Sequence, residues 1–104
     1  MKYKKLKLQS KYNDHNKNII SNIISDNFHI NSLINRRHKV YIVVKSIYDE
    51  NKIMIKPIEK STIEKNENHE TELVILIGAM FKKAVFRINK ESINRVMVVY
   101  KDVI

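Results

Sequence analysis

The chain has no cysteine and no tryptophan, and its 104 residues include one glycine and one proline. Without cysteine there is no disulfide scaffold, thiolate zinc site or cysteine nucleophile. A single glycine cannot build a phosphate-cradling loop or the elbow that presents a nucleophilic serine. Nucleotide-hydrolysing and dinucleotide-binding enzymes are therefore excluded. The four histidines, His15, His29, His38 and His69, include no pair at a helical metal-ligand spacing, so neither metal nor cofactor is expected. No run approaches the roughly 20 apolar residues that a membrane helix requires. The basic start, Met1-Lys2-Tyr3-Lys4-Lys5-Leu6, is interrupted by Lys7, Gln9, Lys11 and Asn13 before any apolar stretch forms, unlike a secretion signal. These absences give the expectation of a cytoplasmic protein (in the host cytoplasm, if the gene is viral or from a phage).

What is abundant is positive charge, +9 overall, beside a hydrophobic fraction of 43%. The apolar share is enough to build one core and argues against wholesale disorder. Ile, Lys and Asn together make up 45 residues. Their codons are rich in A and T, which points to a mobile element, a virus or another AT-rich genome. The cations are unevenly placed. Residues 1–13 carry five lysines and no acid, residues 61–74 are acidic on balance, and the basic surplus returns after residue 75.

Periodicity divides the chain into a basic N-terminal arm or edge strand, 1–13, and a single α+β domain, 14–104. Ile19, Ile20, Ile23, Ile24 and Phe28 recur at three- and four-residue steps, and Ile30, Leu33 and Ile34 continue with shifted phase. Residues 14–37 thus read as helical, either one helix or two meeting near Ser25-Asp26-Asn27. Runs of β-branched and aromatic residues follow: Val40–Val44, Ile53–Ile55, Leu73–Ile77, Ala84–Ile88 and Val96–Tyr100. Val40–Val44, Leu73–Ile77 and Val96–Val99 are apolar at every position, which predicts central strands buried on both faces. Residues 59–71 read as a polar loop, and Gly78 as a bend or close approach. No helix-length segment separates the strands, so the sheet should be antiparallel. The expected fold is α+β: an N-terminal helical segment, then about five short antiparallel strands forming a small bent barrel or curled sheet.

Positive charge interleaved with aromatics is the pattern that carries chemistry. Lysine and arginine neutralise phosphates, and aromatic rings stack on unpaired bases. The candidate nucleic-acid-binding residues are Lys2, Lys4, Lys5 and Lys7 with Tyr3, then Arg36, Arg37 and Lys39, then Lys82, Lys83 and Arg87 with Phe81 and Phe86. The leading expectation is a small, basic, non-enzymatic protein that binds DNA or RNA. One alternative is an interaction protein of the phage or viral type that sequesters an acidic host protein or an anionic nucleotide. Another is a small RNase toxin using His38 with Arg36 or Arg37. The two-sided apolar runs also point to a homodimer or higher oligomer.

Overall fold

A computed structural model describes residues 2–8, 19–78 and 84–103. Its elements are β1 (Lys4–Leu6), α1 (Ile19–Asn35), β2 (Lys39–Lys45), β3 (Ile53–Lys65), β4 (Thr71–Ile77), β5 (Ala84–Ile88), a 3-10 turn η1 (Ile93–Arg95) and β6 (Val96–Lys101). All strand pairs are antiparallel, and the order across the sheet is β1-β6-β2-β3-β4-β5.

The expected fold is corrected on three points. There are six strands, not about five, and the first precedes the helix. The sheet does not close into a barrel: β1 and β5 end the order and do not pair with each other. Nor are all strands short, because β3 runs for 13 residues through the segment expected as a loop. Residues 59–65 escape an apolar pattern because only one of their faces is covered, leaving Glu59, Lys60 and Glu64 in water. The true connection to β4 is the short turn 66–70.

β3 curls the sheet. Its first part, Ile53–Pro57, pairs with β2, and from Ile58 onward it pairs with β4. The register shifts between Ile58 and Lys60, so Glu59 is the extra residue of a bulge, which bends a strand and increases its twist. Pro57 lies where the β4 ladder ends. Its carbonyl accepts the Gly78 N–H at 3.0 Å, so its ring nitrogen faces the side on which no further ladder bond is needed. Gly78 itself has no positive φ, and a Cβ there would meet Pro57 at 3.9 Å, an ordinary contact. The chain's one glycine is not a steric requirement.

The core lies between the concave face of the sheet and α1. Val40, Ile42 and Val44 from β2, Val98 from β6, Ile58 from β3, Leu73, Ile75 and Ile77 from β4, and Ile88 from β5 meet Ile23, Ile30 and Leu33 of α1. Two-sided burial is confined to β4, where Val74 is also enclosed. In β2 and β6 the alternate residues Tyr41, Val43, Met97 and Val99 are only half-buried, which corrects the expectation for those runs.

The helix runs unbroken through Ser25-Asp26-Asn27; the expected residues 14–18 lie outside those described. The phase slip arises because Asp26 occupies a buried position while Phe28 points away from the core. A polar clasp fixes α1 on the bulged strand. The Asn31 side chain donates to the Ser61 carbonyl and accepts the Ser61 N–H, both at 2.9 Å. The Ser61 hydroxyl donates to Asn27 Oδ1 at 2.6 Å.

Candidate nucleic-acid interface

The convex face of β1, β6, β2 and the first part of β3 is set by register. Lys5, Val99, Tyr41 and Pro57 form one cross-strand row, and Met97, Val43 and Ile55 form the next. Lys39 pairs with Lys101 at one end, and Lys45 pairs with Ile53 at the other. Alternation therefore puts Lys5, Lys39, Lys45 and Lys101 around a floor of Tyr41, Val43, Met97 and Val99. Ile53 and Ile55 extend that floor and are exposed. No strand residue on this face is acidic.

Two aromatic rings are fixed here. Tyr3, half exposed, meets Tyr41 edge-to-face with centroids 5.8 Å apart. The Lys101 ammonium lies 4.8 Å from the Tyr3 ring centroid. Hydrogen bonding to Tyr3 is the main reason that the Lys101 pKa is raised above 10.5, with burial acting in the opposite direction. Lys101 is thus a cation held in place beside an accessible ring face.

The same end of the sheet receives the helix C-terminus. Arg37 N–H donates to the Ile34 carbonyl at 2.9 Å and His38 N–H to the Leu33 carbonyl at 3.0 Å, the two bonds of a Schellman motif. Arg37 has φ 67 and occupies the left-handed position that usually falls to glycine. The chain then enters β2 at Lys39. His38 Nδ1 donates to the Lys101 carbonyl at 2.8 Å, and the ring meets Tyr100 edge-on. His38 joins β2 to β6 and serves as a structural donor at this corner.

The candidate residues separate in space. Lys2, Lys5 and Lys7 are exposed along the β1 edge. Lys4 is engaged by Asp102 at 3.0 Å; the hydrogen bond first, then the opposite charge, raises its pKa. Arg36, Arg37 and Lys39 sit at the helix-to-β2 corner. Arg87 belongs elsewhere: it lies on the far half of the sheet, 3.3 Å from Glu64 and 3.4 Å from Glu72. Lys82, Lys83 and Phe81 fall outside the described residues. Lys45, Lys101 and Tyr41 were not singled out from the sequence, although the spacing Lys39-Tyr41-Val43-Lys45 already puts all four on one face.

A second feature is a cleft of about 500 Å³ between Ile19 and Ile23 of α1, the β3–β4 turn and the residues after β5. The turn is closed by Asn66, whose side-chain oxygen accepts from Asn68 N–H and Glu70 N–H, while His69 takes φ 60. Glu72, almost wholly buried, accepts from Asn89 Nδ2 at 2.7 Å. Glu70, Glu72 and Glu91 line the cleft beside Lys90 and His69, so its carboxylates outnumber its lysines and arginines. Among the described residues no cluster of three metal-ligating side chains occurs, and no helix is long and apolar enough to cross a membrane. Comparison with protein-family models, curated proteins and solved structures finds no match for this chain.

Proposed function

We propose that this protein binds single-stranded nucleic acid across the convex face of β1, β6, β2 and the start of β3. The observation that carries the reading is one acid-free strand surface bearing Lys5, Lys39, Lys45 and Lys101 around Tyr3 and Tyr41. The lysines would neutralise phosphates and release counterions, the source of affinity. The tyrosines would stack on unpaired bases, which favours single strands over a duplex whose bases are already stacked. Backbone grip of this kind positions the strand without reading its sequence. Arg36 and Arg37 extend the cationic rim at the β2 corner. In this reading the role is non-enzymatic, and His38 acts as a donor to the Lys101 carbonyl that ties β2 to β6.

Fluorescence anisotropy with labelled single-stranded DNA, single-stranded RNA and duplex tests the proposal. With about four cations engaged, log affinity against log salt should slope near −3, so affinity drops roughly fifty-fold between 50 and 200 mM salt. The double variant Lys39→Ala with Lys45→Ala should shrink that slope by about 1.4. Tyr41→Ala should weaken single-strand binding by tenfold or more and leave the slope unchanged. Absence of binding to all three probes at 50 mM salt, or variants that bind like the parent, would overturn the proposal.

A further inference from the structure

The last rung of the β2–β6 ladder is Val44 with Val96, and both strands carry a cation just past it. Lys45 ends β2, and Arg95 immediately precedes β6. Arg95 Nη1 donates to the Lys45 carbonyl at 3.1 Å, which pins the guanidinium across the end of β2. Its Nε–H is enclosed and meets no acceptor among the described residues. Among those residues no ion pair engages Lys45, Lys52 or Arg95.

These three cations line an open hollow of about 330 Å³ together with Ile47, Tyr48 and Ile53, and no carboxylate lines it. Asp49 and Glu50 belong to the same turn but not to the hollow, and the Asp49 carboxylate accepts the Asn51 N–H at 3.0 Å. Tyr48 is 92% exposed. The turn that carries it is tied internally. Tyr48 N–H donates to Ser46 Oγ at 3.1 Å, Ser46 N–H to the Lys52 carbonyl at 3.0 Å, and Lys52 N–H to the Asp49 carbonyl at 3.0 Å. A ring almost wholly in water is thus held out on a fixed backbone, beside cations that lack an anion.

Charge and continuity select the occupant. Lys45 pairs with Ile53 in the end row of the convex face, so the hollow prolongs that surface. Lys39 and Lys45 are separated by about 20 Å of strand, so Tyr41 and Tyr48 stand toward opposite ends of it. Phosphate is drawn to cations that no acid neutralises, and an unpaired base stacks on a free ring. We infer that the β2–β3 turn is a second docking point for the same single strand, with one base stacked on Tyr48 and a neighbouring phosphate between Arg95 and Lys52. The inference rests on the binding proposed for the convex face and adds to it a third aromatic platform and two further cations.

Anisotropy with a labelled single strand of about 12 nucleotides tests this. Tyr48→Ala should weaken binding roughly tenfold and leave the salt slope unchanged. Lys52→Gln should shrink the slope by about 0.7. Lys52 is the better probe of charge, because removing Arg95 would also free the end of β2. Both variants should melt with the parent, since both positions are exposed. If the parent binds and Tyr41→Ala weakens it, but Tyr48→Ala or Lys52→Gln matches the parent, the inference falls and the convex-face reading stands. If the parent binds no strand at 50 mM salt, both fall. If the two variants bind strands like the parent but lose its adsorption to phosphatidylserine vesicles, the turn is a lipid contact and the inference is overturned.

Discussion

Arg37 is the residue at which stability and binding should pull apart. It holds φ 67 at the end of α1 because the Schellman bonds to Leu33 and Ile34 require a left-handed residue there. A side chain with a Cβ costs roughly 1–2 kcal/mol in that conformation. Glycine removes the strain but adds freedom to the unfolded chain, a loss of about 0.5–1 kcal/mol. Removing the cation also forfeits a favourable interaction with the helix C-terminus, about 0.3 kcal/mol at an exposed site. Arg37→Ala keeps the strain and loses the charge, so it serves as the reference. Arg37→Gly should be more stable than Arg37→Ala by about 0.5–1 kcal/mol, or some 3–6 °C in melting temperature for a domain of this size. Urea and thermal denaturation of both variants measure the difference. Both should bind single strands more weakly than the parent, since each lacks a cation beside Lys39. A glycine variant no more stable than the alanine variant would refute the backbone argument, and the arginine would then cost nothing where it stands.

Three further outcomes follow from the geometry. Asn31→Asp keeps the acceptor for Ser61 N–H but turns an oxygen toward the Ser61 carbonyl; it should cost about 2 kcal/mol, read as a melting temperature lower by roughly 10 °C. Gly78→Ala should fold and melt within about 0.5 kcal/mol of the parent, since its Cβ has room against Pro57, and a large loss would mean that the glycine is required after all. The Lys4 pKa is raised above 10.5 by Asp102, so the stability that this pair provides is present below that pH and is lost as pH rises through the folded-state value. The difference in melting temperature between the parent and Lys4→Gln should accordingly shrink at alkaline pH, and a constant difference would count against the pairing.

Strand positions were easier to read from residues than the surfaces that the strands make. β5 is visible as Ala84–Ile88 because a polar turn follows it. β3 beyond Ile58 is not, because its exposed side carries Glu59, Lys60 and Glu64 and its covered side includes Ser61, so neither face looks apolar. Ser61 is tolerated there only because Asn27 and Asn31, some thirty residues away, satisfy it. The same distance problem hides the interface. Lys5, Lys39 and Lys101 belong to three strands, and only the β1–β6–β2 register shows that they share a face. Arg87 looks like a binding cation until the β4–β5 register brings it over Val74, between Glu64 and Glu72. In α1 the difficulty is reversed. Periodicity finds two apolar stripes and cannot tell which is covered, and Asp26 in the core-facing one makes the wrong stripe look better.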